Sequence, residues 1–179
     1  MIIARSFVPV CALLAQAWIH VQHAWHIRHA RPLSAEERSA LARHYHDDLL
    51  SIVLIRIVDN LGQPALLRFV KSVLALRGIR LDFDFTGASG ITFDNCVLVR
   101  RGRLGVPLLF HELVHAEQYR QLGVARFARA YIQGLVDSRF VYRSIPLEVV
   151  AYDMTARFAS GAAFSVRDEL TSWIRAHDY

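Results

Sequence analysis

Cysteine is scarce in this chain and lysine nearly absent. Cys11 and Cys96 are too few for a disulfide framework, and neither belongs to a CxxC pair, which argues against a redox centre or a cysteine-bound zinc. Lys71 is the sole lysine among 21 basic residues, so the net charge of +5 is carried by arginine. The arginines are scattered from Arg5 to Arg175 and cluster only at Arg100, Arg101 and Arg103. That triplet reads as a solvated loop, and no nucleic-acid partner is expected. No repeat, low-complexity tract or linker divides the chain. With 54% hydrophobic and 21% charged residues, 179 residues are enough to build one domain with a real core, which excludes a disordered chain.

A long apolar run is also missing. Phe7–Ala15 is apolar, but Gln16, His20, Gln22 and His23 interrupt the pattern before the ~20 residues of a membrane span are reached. The run follows Arg5 and ends in Ala15-Gln16-Ala17, the outline of a signal peptide, while Pro9 and the continuing Trp18, Ile19 and Val21 speak against cleavage. A cytoplasmic chain and an exported or membrane-anchored one therefore stay open, as does membrane association through this segment. Residues 1–33 read as an N-terminal apolar, His-rich segment and 34–179 as the folded domain. His20, His23, His26 and His29 recur every third residue, which spirals them around a helix and forms no four-residue chelating step; an exposed, incidental face is expected.

Ser34 before Glu36-Glu37 predicts a capped helix through about His46, and Ile52–Val58 predicts a strand. A helix is expected from Pro64 to about Leu76. Ile91-Thr92-Phe93 and Cys96–Val99 flank Asp94-Asn95, a turn pair, and predict a hairpin. Pro107 and Gly123 bracket a helix, with further helices over about Val124–Asp137, from Pro146, and over about Val166–Ala176. The fold class is α+β, helix-dominated, with a small sheet and hairpin before the Pro107 helix.

That helix carries His111-Glu112-Leu113-Val114-His115, an HExxH motif. Four residues advance a helix by about 40° beyond one turn, so both imidazoles leave one face and can bind one Zn²⁺ at ~2.0–2.1 Å. Glu112, turned about 100° from His111, is no ligand but is the candidate general base for a metal-activated water. Gln118 and Gln121 stand where a metzincin carries Gly and a third His, so the third ligand comes from elsewhere. Glu148, one turn into the Pro146 helix, is the choice if that helix returns antiparallel past the first. Glu117, Asp137 and Asp153 are lesser candidates; Glu117 lies about 200° around from His115. Tyr152, one turn after Glu148, either steadies a ligand or the oxyanion, or packs its ring in the core. Tyr119 is a weaker candidate of the same kind. Phe127, Tyr131 and Leu135 recur every four residues and read as core.

His111–Tyr119 together with Pro146–Tyr152 resembles the small bacterial gluzincins, minimal zinc metallopeptidase domains, over about Ser34–Ala159. The resemblance implies a zincin-like fold, one zinc on His111, His115 and Glu148, Glu112 as base, and Ile91-Thr92-Phe93 as the edge strand that takes a peptide substrate by strand addition. Thermolysin-like enzymes place an aspartate four residues after the ligand glutamate; here Tyr152 holds that position and Asp153 follows it. The activity expected is a zinc-dependent endopeptidase or amide hydrolase. A catalytically silent zincin-fold binding or targeting module is the alternative. The oligomeric state is not readable from the sequence.

Overall fold

The computed structural model describes residues 8–61 and 87–177. Their elements are α1 (Val8–His26), β1 (Arg31–Pro32), α2 (Ala35–Leu41), α3 (Asp47–Leu50), β2 (Leu54–Val58), β3 (Gly90–Phe93), β4 (Cys96–Arg100), α4 (Val106–Asp137), α5 (Pro146–Ala159) and α6 (Val166–Ala176). The chain is thus helix-dominated α+β, with one small mixed sheet. The helix expected over Pro64–Leu76 lies outside the described residues.

Local signals set most boundaries. Ser34 caps α2 reciprocally: its Oγ accepts from the Glu37 N–H at 3.2 Å, and its own N–H donates to Glu37 Oε2 at 2.7 Å. The helix stops at Leu41 instead of about His46, because the next side chains turn into the core. Tyr45 donates its hydroxyl to the Phe110 carbonyl at 2.6 Å, and His44 packs among Phe110, Phe158 and Phe164. The strand expected from Ile52 starts at Leu54, since Ile52 N–H still bonds Leu49 O in the turn that closes α3. The hairpin forms as expected, with Asp94 in the left-handed region at φ 58°.

The sheet order is β1-β2-β4-β3, with β2 and β4 parallel and the other pairs antiparallel. Alternation splits β4 between two cores. Val97 and Val99 join Ile55, Leu109, Phe110 and Leu113, while Cys96 and Leu98 join Phe93, Ile19 of α1, Leu122 and Phe127. α1 thereby packs into the second core.

α4 consists of two helical stretches across a kink at Gly123, whose φ of 72° and ψ of 158° are open to glycine and strained for other residues. Arg126 reaches back to carbonyls near the kink, donating to Leu122 O at 2.8 Å and Gln121 O at 3.2 Å. α5 returns antiparallel along α4: Gly134 faces Pro146, Gln118 reaches Leu147, and His111 reaches Thr155. A Cβ on Gly134 would lie 2.8 Å from Pro146 Cδ, so the approach of the two helices requires glycine there.

Candidate metal centre

The antiparallel return delivers Glu148 to the two histidines. His111 Nε2 and His115 Nε2 lie 3.2 Å apart, and each is 3.5 Å from Glu148 Oε2. All three residues are buried. Among the described residues they are the one set of three His, Cys, Asp or Glu side chains close enough to share an ion.

Hydrogen bonds on the far side of each group orient its donor atom. His115 Nδ1 lies 2.9 Å from Gln118 Oε1, and Gln118 Nε2 donates to the Leu147 carbonyl at 3.0 Å. The second bond fixes which end of the amide faces the imidazole, so His115 Nδ1 is the donor and Nε2 is directed at Glu148. Thr155 donates its hydroxyl to Ala151 O at 2.7 Å and is left to accept from His111 Nδ1 at 3.3 Å. Glu148 Oε1 accepts from the Tyr131 hydroxyl at 2.8 Å, and Tyr142 also bonds to this carboxylate. Its Oε2 is buried, lies 3.5 Å from each imidazole and makes no well-formed hydrogen bond.

A divalent ion is the partner this geometry suits. Donors at 2.0–2.1 Å from a tetrahedral metal are spaced about 3.3–3.4 Å apart, close to the observed triangle of 3.2, 3.5 and 3.5 Å. Two imidazoles and one carboxylate suit Zn²⁺ and neighbouring first-row ions alike. Without an ion the charges settle among themselves. Burial lowers the His115 pKa, but the adjacent Glu148 carboxylate outweighs it and raises the group to about 9. Burial acts to raise Glu148, yet His115 overcomes it and holds the carboxyl well below the usual range.

Glu112 is buried beside this triangle and is not part of it. The Thr92 hydroxyl lies 2.7 Å from Glu112 Oε2 and 3.1 Å from the Glu112 carbonyl, so its proton is shared between them. Burial raises the Glu112 pKa, against the lowering pull of His115 and His111. Gly90 borders the same carboxylate.

The other expected site residues separate by strand and helix face. Thr92 points at Glu112, whereas Phe93 faces the opposite core, 5.0 Å edge-on from Trp18, and Ile91 packs against that core too. Arg100 N–H bonds Ser89 O, which makes 89/100, 91/98 and 93/96 the hydrogen-bonded pairs. The main-chain groups of Gly90 and Thr92 consequently point away from β4, and among the described residues no strand pairs with β3 on that side. The Tyr152 ring lies 4.6 Å from that of His111 with Arg143 over it at 5.0 Å, so it flanks the site instead of packing in the core. Tyr119 stacks on Phe127 at 3.7 Å in the second core.

Glu117, Asp137 and Asp153 do not join the triangle. Glu117 is buried and accepts from Arg120 Nε at 3.0 Å and Gln121 at 2.9 Å; Asp137 and Asp153 are exposed. Nor do the N-terminal histidines gather: His23 bonds Asn95 at 2.7 Å and His26 contacts Arg56 at 3.0 Å, so these two are partly buried structural groups where an incidental exposed face was expected.

Sequence reasoning missed Gly90, Gln118, Tyr131 and Tyr142. A glycine inside a strand is a signal of close backbone approach, and Gly90 could have been found that way. Tyr131 reads as core by spacing, and its hydroxyl partner emerges only when α5 is placed. No protein-family model matches the chain, and neither does any curated protein or solved structure.

Proposed function

We propose that the chain is a zinc-dependent amide hydrolase, acting as an endopeptidase of the gluzincin type on a zincin-like fold. The observation that carries this reading is the division of labour between two buried glutamates. Glu148 points an unpartnered oxygen at two histidines, while Glu112 sits beside them, outside the ligand set, held by Thr92. Three protein donors and a neighbouring carboxylate is the count of a catalytic site; a structural zinc has four protein donors.

His111, His115 and Glu148 would hold the zinc, which would supply Lewis acidity to polarise a carbonyl and acidify a water. Glu112 takes a proton from the attacking water as the water's oxygen bonds to the amide carbon. The same carboxyl then delivers the proton to the leaving nitrogen as the C–N bond breaks, giving a carboxylate and an amine. Gly90 and Thr92 offer main-chain donors and acceptors to an extended substrate at the β3 edge, alongside Glu112. Tyr152, beside His111, is the candidate donor to the carbonyl oxygen as it gains charge.

The test is Glu112→Gln in the zinc-loaded full chain with a fluorogenic peptide library. Zinc content should stay at one per chain while turnover falls by about 10²–10⁴-fold, the usual cost of losing a general base. Fully loaded wild-type protein that cleaves nothing in the library, with Glu112→Gln indistinguishable from it, would overturn the hydrolase reading in favour of a silent binding module.

A further inference from the structure

α1 is apolar on two sides, and the fold uses one of them. Val8, Ala12 and Ile19 are buried, and Trp18 meets Phe93. The other side presents Val10, Leu13, Leu14, Val21 and Trp25 to solvent, with Leu13 65% and Trp25 68% exposed. Exposed Ala17 and Ala24 fill the intervals, so positions 10, 13, 14, 17, 21, 24 and 25 make a continuous stripe at helical spacing, with His20 as its polar member. Single exposed apolar side chains carry no message, but a stripe along a 19-residue helix does.

Charge narrows the occupant. No Asp or Glu precedes Glu36 in the sequence, whereas Arg5 and Arg28 stand before and after the helix. Arg31 follows, already paired with Glu37 at 2.7 Å. Trp25 on the outward stripe and exposed Arg28 just after it are an aromatic and a cation of the kinds that interfacial helices present to the headgroup region. An acid-free apolar face with cationic flanks complements anionic lipid. Among the described residues no helix is long and apolar enough to cross a membrane, and the inner side of α1 is committed to the core, so the helix has to lie flat.

We propose that the outward face of α1 docks on the surface of an anionic lipid bilayer. α1 also flanks β3, through Trp18 and His26 on Phe93, so docking holds the edge strand near that surface. Resting on the hydrolase reading, the consequence is a substrate class of membrane-held peptides and proteins.

The test uses the full chain with vesicles of phosphatidylcholine, with and without phosphatidylglycerol. Wild type should co-sediment, more tightly with the anionic vesicles by about five-fold for each cation at the surface. Its tryptophan emission should shift to the blue, and Trp25→Phe should remove most of that shift while sedimentation persists. The triple variant Leu13→Gln, Val21→Gln, Trp25→Gln changes exposed side chains only, keeps the wild-type circular dichroism, and should bind at least about ten-fold more weakly. Absence of wild-type binding, or binding undiminished in the triple variant, overturns the proposal. So does a lipid-independent dimer that the triple variant abolishes, which assigns the stripe to a second copy. The readout is sedimentation, so its failure is distinguishable from a failure of hydrolysis.

Discussion

Gly90 and Glu112 share a space that holds only one side chain. A Cβ built on Gly90 would lie 2.5 Å from Glu112 Oε1 and 2.9 Å from its Cδ, separations that real Cβ contacts do not reach. Gly90 is not among the positive-φ glycines, so the constraint is space and not backbone conformation. The opposite oxygen of Glu112 is held by Thr92, two residues along the same strand. β3 therefore positions both ends of this carboxylate.

Gly90→Ala should accordingly displace Glu112 and leave the ligand triangle intact. The expected result is full zinc content by elemental analysis with kcat reduced about 10²-fold, as for a reacting group misplaced by about 1 Å. Unchanged kcat would show that the carboxylate adapts to the added methyl.

Removing a ligand and removing a nearby acid should differ. His111→Ala, His115→Ala and Glu148→Ala should each lose zinc on dialysis, whereas Glu117→Ala should retain it. Glu117→Ala should instead lower stability by about 1 kcal/mol in urea unfolding, because Arg120 and Arg167 lose a buried carboxylate partner but are partly exposed and keep Asp48.

Gln118→Leu should weaken zinc binding about 10–100-fold in a chelator competition, since His115 Nδ1 loses the acceptor that orients its ring. Tyr131→Phe should weaken it in the same range by freeing Glu148 Oε1. Affinity equal to wild type in both would mean that packing alone holds the ligands.

The metal-free chain should show a bounded pH window of stability. His115 is raised to about 9, so its contribution is complete below its unfolded value of ~6.5 and is lost as pH rises through about 9. Glu148 is lowered, so its contribution is present above the unfolded value of ~4.3 and is lost as pH falls through its folded value. Tm without metal should thus be highest between about pH 4.5 and 6.5 and decline toward pH 9. Over the same rise zinc affinity should increase by up to tenfold per pH unit, because binding displaces the His115 proton. A flat Tm from pH 6.5 to 9 would refute the ion pair.

Much of the local architecture could be read in advance because its causes are local. Ser34 with Glu37 starts α2, Asp94-Asn95 turns the hairpin, and Pro107 and Gly123 bound the first stretch of α4. The HExxH spacing places two imidazoles on one helical face for the same reason: a helix converts sequence separation into angle. Where the reading failed, distant contacts had intervened. α2 ends early because Tyr45 and His44 find partners on α4, on α5 and beside α6, more than 60 residues away.

The sequence by itself thus determined which helix carries the histidines, that Glu112 between them is turned away from the face they share, and that the metzincin position for a third donor is not filled by histidine. Tertiary structure decided the rest. The antiparallel packing of α5 on α4 brought Glu148, and not Glu117, Asp137 or Asp153, to the imidazoles. It also gave Gln118, Thr155 and Tyr131 their partners on the facing helix or the same one, and left room at Gly90 for Glu112. The physical reason is that helical periodicity fixes directions within one element, whereas the separation and register of two elements depend on how their side chains interlock, and chain order does not encode those directly.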